Sequence, residues 1–291
     1  MDTLKKVKED LETVNLISTI TSVYCEIAKM RMNQIRGWVL KNREFLQEIA
    51  KVYQKTKLAY FSFLKRRGLF GKDKKSLEKI TFLKKIPKTA IIFLSANQPF
   101  YGKLIYEIWS VLSDFLEAKG VELIVVGKIG RDLVLRFDPS KKFSFFELDD
   151  DRPKKEEVEK IVEFAKRFQR VIVFHGKFES PIRQSAAASE ISGIFPTLEK
   201  IEKAKEYLFE PSPEEIFEFF ETEIFTRLFH QTIFEHQLAK FAARVIAMYE
   251  ATEKSKKEKE KLQMKKIKIQ KDIMNKKQIN LFLGHSLWSG T

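Results

Sequence analysis

Residues 214–283 contain neither proline nor glycine. A run of roughly 70 residues without a helix breaker can form one helix about 105 Å long. No compact domain in a chain of 291 residues encloses such a helix, so it needs a companion. The prolines say where the companion lies. All eight fall between positions 87 and 213, which leaves the N-terminal arm free of proline, and its interior Gly37 costs roughly 1 kcal/mol, tolerable in so long a helix. Both arms join one central segment, so as a helical pair they must run antiparallel.

The N-terminal arm carries a heptad. Stepping by seven from Leu4 gives Leu11, Ser18, Cys25, Met32, Val39, Leu46 and Tyr53; from Val7 it gives Val14, Thr21, Ala28, Ile35, Asn42 and Ile49. Apolar or small residues at nearly all these positions make a coiled-coil seam rather than a broad globular face. The C-terminal arm opens with Ser212 as N-cap, Pro213 at the first helical position and Glu215 closing a capping box. Small residues suggest the register. Pairing Ser18, Thr21, Cys25 and Ala28 with Ala239, Ala242, Ala243, Ala247 and Ala251 sets Thr21 opposite Ala247 and Asn42 opposite Thr226. The N-terminal arm is then spent near position 266. The remaining tip would expose Ile267, Ile273, Met274, Ile279, Leu281, Phe282, Leu287 and Trp288, and an apolar tip implies a socket in another protein.

The central segment alternates. Residues 89–95, 121–126 and 170–174 are short apolar runs, as expected of parallel strands buried on both faces. Residues 143–148 (FSFFEL) read as a further strand, and 101–119 and 153–169 as crossover helices. The fold class is therefore α/β plus a long antiparallel coiled coil: a shaft helix at 1–60, a basic linker at 61–86, a Rossmann-like domain at 87–211 and a second shaft helix at 212–291.

The net charge of +14 is unevenly spread. Residues 87–213 hold 20 basic and 20 acidic side chains, whereas 59–86 and 251–291 carry +7 each. Such clusters suit a solvated helix face, an acidic protein partner, a membrane surface or nucleic acid. No apolar run reaches the roughly 18 residues of a bilayer span. The first residues lack a signal-like apolar core, and a lone cysteine allows no internal disulfide, so a cytosolic compartment is expected.

Chemistry is hard to place. The glycine fingerprint of dinucleotide-binding folds is absent after the first strand, where the chain reads SANQPFYGK (95–103), and there is no P-loop. Gly127 and Gly130 frame a G-x-x-G, best read as a strand-to-helix turn. His175, His230, His236 and His285 show no metal-ligand spacing. Asp149, Asp150 and Asp151 suit a loop before a helix. Neither cofactor nor metal is expected.

Several blocks resemble a known family. AARVIAMYEAT (242–252), YLFEPSPEEIF (207–217), VGKIGRD (126–132) and, more loosely, KIQKDIMNKKQINLFLG (268–284) are similar to successive motifs of the gamma subunit of F-type ATP synthases. The chain departs from the family where SANQPFYGKLI (95–105) keeps one glycine, Gly102, of a glycine-rich loop. It departs again at Gly284, which His285 follows in place of a second glycine.

The resemblance implies a rotor axle inside a head of alpha and beta subunits. Its α/β domain would stand on the membrane c-ring beside the epsilon subunit, at the cytoplasmic face of the bacterial plasma membrane. Ring rotation would drive ATP synthesis at the beta subunits. It implies beta-subunit contact through Arg244, Gln270 and Asn275, and a partner-facing basic surface at Lys254, Lys256 and Lys257. Residues 59–86 would lie at the foot. Two rivals stand beside this reading: a basic coiled-coil protein that binds nucleic acid, whose binding would weaken steeply with salt, and a Rossmann-type enzyme with helical extensions.

Overall fold

The computed structural model describes residues 2–66, 86–116, 120–192 and 213–288. Most of the expected basic linker, and Ser212 with its capping box, lie outside the described residues. The elements in chain order are α1 (Asp2–Arg66), β1 (Ile86–Leu94), α2 (Leu104–Ser113), β2 (Val121–Val126), α3 (Lys128–Phe137), β3 (Phe143–Phe146), α4 (Lys155–Ala165), β4 (Phe168–Ser180), β5 (Arg183–Glu190) and α5 (Pro213–Trp288). The two long helices are each continuous, and α5 begins at Pro213 as its fixed φ favours. Two compact units are present. A terminal unit comprises residues 1–29 and 244–291, and a central unit comprises residues 30–243.

In the central unit five strands form one sheet in the order β3-β2-β1-β4-β5. The first four are parallel, as their unbroken apolar runs require, and β5 turns back antiparallel on β4. The sheet is thus mixed, and its fifth strand was not legible in the sequence. Side chains alternate between faces. Ile91, Phe93, Leu123, Val125 and Phe174 point to one side, where Leu104, Ile108 and Leu112 of α2 cover them together with Leu238, Ala239 and Ala242 of α5. Ala90, Ile92, Ile124, Val171 and Val173 point to the other, against Val158, Ile161 and Val162 of α4 and Phe225, Phe229 and Ile233 of α5. One long helix therefore contributes to the cores on both faces.

The heptad holds. In the terminal unit Val7, Leu11, Cys25 and Ala28 are buried, and Leu4, Val14, Ser18 and Thr21 half-buried; in the central unit Met32, Val39, Leu46 and Tyr53 are buried. The register differs from expectation. Thr21 meets Thr252, its oxygen accepting from the Thr252 hydroxyl at 2.8 Å. In the central unit Asn42 donates to Gln231 Oε1 at 2.6 Å. Both partners lie about five residues beyond the expected ones, more than one helical turn. The cause is the use made of the alanines. Ala239 and Ala242 are small because α5 lies against the sheet: a Cβ on Gly176 would sit 3.1 Å from that of Ala239. They were not reserved for α1.

Candidate functional site

In a doubly wound sheet, ligands enter the crevice beyond the carboxyl ends of the strands. Here that crevice is filled by the chain itself. β1 ends at Leu94, and Ser95, Ala96 and Asn97 cross above β2. Gly127, with φ of 101°, turns the chain into α3. An added Cβ there would fall 2.8 Å from the Ala96 backbone nitrogen, so only glycine fits. The first amides of α3 are already taken: Lys128 N–H donates to Asn97 Oδ1 at 3.0 Å and Ile129 N–H to Ala96 O at 2.9 Å. A helix start so occupied does not offer its N–H groups to a phosphate.

From the other side α5 closes the crevice with three polar residues. Lys240 Nζ lies 2.6 Å from Asp150 Oδ1, with both side chains nearly inaccessible. The second oxygen of Asp150 accepts from the backbone N–H groups of Asn97 and Gln98 at 2.9 and 2.8 Å. Gln237 donates to the carbonyls of Asp150 and Asp151. His236 is fixed in one neutral tautomer. Gly176 N–H donates to its Nδ1 at 2.9 Å, and its Nε2 donates to the Ser95 carbonyl at 2.9 Å. Burial, and then the nearby Lys240 ammonium, hold its pKa well below the ordinary histidine value. A cavity of about 10 Å³ remains among Ser95, Asp150, His236 and Lys240, room for about one water molecule. The constellation fastens a helix to a sheet, and no nucleotide fits there.

Two exposed apolar surfaces lie in the terminal unit. On α1, Leu16, Ile20, Val23 and Ile27 are all exposed, Leu16 by 61%. Their spacing of four, three and four repeats the heptad on the face opposite the seam, and Ile17 and Tyr24 flank it. No charged residue occurs from position 13 to 25. The sequence reading missed this second stripe, although stepping from Leu16 reveals it. On α5 the seam runs through Met248, Thr252, Ser255, Lys259, Leu262, Lys266, Ile269 and Ile273, each at least half-covered. Lys259 and Lys266 can lay their methylenes along it with their ammonium groups in water. Beyond Ile273 every residue whose side chain is described, 274–283, is exposed, including Met274, Ile279, Leu281 and Phe282 at 78%. The side chains of Leu287 and Trp288 lie outside the described residues.

The residues singled out by resemblance are not brought together. Gln270, Asn275, Lys254, Lys256 and Lys257 are exposed on α5, whereas Arg244 is 4% exposed. Lys256 pairs with Glu253 at 2.9 Å, which raises its pKa. Among the described residues no cluster of histidine, cysteine or acidic side chains suits a metal ion, and no helix is long and apolar enough to cross a membrane.

Comparison with known proteins agrees with this geometry. The family model described as ATP synthase matches residues 3–272. The ATP synthase gamma chain of Roseiflexus castenholzii (strain DSM 13941 / HLO8) is 22% identical over 267 residues, 88% of each chain. That of Roseiflexus sp. (strain RS-1) is 21% identical over the same length. Among solved structures, a chain of the Tetrahymena thermophila mitochondrial ATP synthase central stalk/c-ring aligns with a TM-score of 0.55 at 14% identity, covering 80% of this chain and 99% of that one. A chain of the Euglena gracilis mitochondrial ATP synthase OSCP/F1/c-ring in rotational state 3 aligns with a TM-score of 0.52 at 12% identity, covering 86% and 92%.

Proposed function

From the membership of this chain in the gamma-subunit family of ATP synthases, we propose that it is the rotor axle of such an enzyme. In this reading it has no active site of its own and works by contact. The observation that carries the reading is the exposure of Met274, Ile279, Leu281 and Phe282 near the end of α5, together with the uncharged stripe Leu16–Ile20–Val23–Ile27. A chain that acted alone would leave such surfaces in water without gain. In a head of alternating alpha and beta subunits they form a sliding bearing, because apolar contact is non-directional and survives rotation.

Coupling then follows from asymmetry. The axle presents a different side to each beta subunit, so each orientation stabilises a different beta conformation, and catalytic binding energy and rotation become linked. The lysine-rich stretch 254–277 faces acidic loops of the beta subunits, with Lys254, Lys256 and Lys257 at its start. Gln270 and Asn275 make direct polar contact further along. Arg244, 4% exposed at the start of the terminal unit, shares in that contact. The central unit stands on the c-ring beside the epsilon subunit, with the basic segment 59–86 at the foot, on the cytoplasmic side of a bacterial membrane. The family assignment gives no support to the nucleic-acid reading.

The test is charge reversal of Lys254, Lys256 and Lys257 to glutamate in the assembled enzyme. All three side chains are exposed, so the fold should persist while coupled ATP hydrolysis falls several-fold, most at low ionic strength. Unchanged coupled activity would exclude the electrostatic contact. Purification of the tagged chain without alpha, beta or epsilon subunits would exclude the rotor reading itself.

A further inference from the structure

In the central unit α5 is fastened to the sheet by Lys240, Gln237 and His236. On the neighbouring residues Gln231 and Glu235 it meets α1. There α1 makes two kinds of contact. Met32 and Val39 enter the same apolar core as Ile91, Phe93 and Phe174. Contact of that kind is non-directional and does little to oppose a twist about the helix axis. The directional contacts come at the next positions along α1, Asn42 and Arg43, where a polar residue interrupts the apolar heptad.

Arg43 joins three elements. Its Nη2 donates to Glu235 Oε1 at 2.5 Å and to the Phe178 carbonyl of β4 at 3.2 Å, and its Nε donates to Glu235 Oε2 at 3.2 Å. One planar guanidinium thus engages both oxygens of a buried carboxylate, and such a charge-assisted fork fixes orientation as well as distance. One turn earlier on α5, Gln231 repeats the grip. It accepts from Asn42 at 2.6 Å and donates through Nε2 to the Val39 carbonyl at 3.2 Å. A polar pair within an apolar seam sets the register, because sliding the helices would leave its groups unpaired. Asn42 and Gln231 therefore hold α1 on α5, and Arg43 ties both to the sheet.

We infer that Arg43 is a positioning residue for coupling: it keys α1 to Glu235 of α5 and to Phe178 of β4, so that the helix pair and the sheet of the central unit turn as one body under load. The inference rests on the rotor reading and locates where torque crosses between helices and sheet. The apolar core keeps these elements together at rest. Under torque, a joint without the fork gives way by rotation of α1 on its apolar bed, and part of each turn is lost as slip. Lysine is a poor substitute, since its ammonium is a point charge that lacks the plane of the fork.

The experiment places the assembled enzyme in sealed vesicles and measures ATP hydrolysis together with the ion gradient it builds. Two variants are compared with the parent. Arg43→Lys keeps a charge opposite Glu235. Arg43→Met combined with Glu235→Met removes both charges, so that no buried carboxylate is left alone. Both should assemble with alpha and beta subunits, keep the melting temperature of the free chain, and hydrolyse ATP at the parent rate when an ionophore dissipates the gradient. In sealed vesicles the double variant should sustain a gradient at least about twofold smaller, and Arg43→Lys an intermediate one, because slip grows with the opposing load. A merely structural role would lower melting temperature and hydrolysis together and leave the gradient built per ATP unchanged. That result, or a parent-like gradient in either variant, would overturn the joint and leave the rotor reading intact. Absence of alpha and beta subunits from material purified through the tagged parent chain would overturn both.

Discussion

Asp150 and Lys240 form the one nearly inaccessible ion pair among those described in the central unit, and its geometry says what it is worth. Asp150 spends one oxygen on the lysine and the other on two backbone N–H groups, so removing Lys240 takes away its charged partner and leaves a buried carboxylate with only the two amides. Lys240→Met should destabilise the central unit by roughly 3–5 kcal/mol in urea unfolding, and adding Asp150→Asn should recover part of that loss. Equal stability of the single variant and the parent would mean that the pair is solvated. His236 makes a separate prediction. Its folded pKa is depressed, as is that of buried His175, so below the ordinary value of about 6.5 the unfolded chain takes up protons that the folded chain refuses. Stability should be flat above that pH and fall as pH drops through it, by up to about 1.4 kcal/mol per pH unit for each histidine. His236→Asn should remove one histidine's share of the slope, and an unchanged profile would acquit His236. None of this was legible in the sequence. Asp150 was read as loop chemistry and His236 as one of four scattered histidines, because their partners lie 90 and 60 positions away.

At the scale of elements, strands declared themselves where burial on both faces demanded Val, Ile, Leu and Phe, as in β1, β2 and the first half of β4. β5 escaped because an edge strand of alanine and serine has neither the alternation nor the β-branched side chains that mark a strand. The turn into α3 was read as a plain strand-to-helix turn, and the structure supplies the reason for its glycines. Gly130 lies where a Cβ would come within 2.7 Å of the Ser95 Cβ, and Gly127 combines a positive φ with contact to the Ala96 backbone. Gly127→Ala must therefore move β1 away from α3, and a loss of more than about 2 kcal/mol is expected in thermal or urea unfolding. Gly120 also has positive φ but meets nothing within 4 Å. Gly120→Ala should cost only the strain, about 1–2 kcal/mol. Equal losses at the two sites would show that close packing at Gly127 contributes nothing.

For the molecule as a whole, the distribution of proline and the heptad were enough to foresee two continuous helices, and the small-residue argument then misplaced their register by more than a turn. The misplacement did not touch the inference that α5 outlasts its companion, since that depends on arm lengths rather than on register. Coverage simply ends at Ile273 instead of near position 266. The last exposed turns distinguish a residue kept for folding from one kept for a partner. Leu281 and Phe282 are about three-quarters exposed, so exchanging both for serine removes little buried area and should shift the stability of the isolated chain by no more than about 0.5 kcal/mol. In the assembly the same exchange takes two large apolar groups from the bearing. Each fully buried side chain of that size contributes about 1.5–3 kcal/mol, so the head should dissociate from the rotor on dilution at far higher concentration than the parent does. Gel filtration over a dilution series, with the melting temperature of the free chain measured alongside, separates the outcomes. A lower melting temperature would place these side chains inside the chain's own fold, and unchanged retention of the head would move the bearing to the stripe on α1.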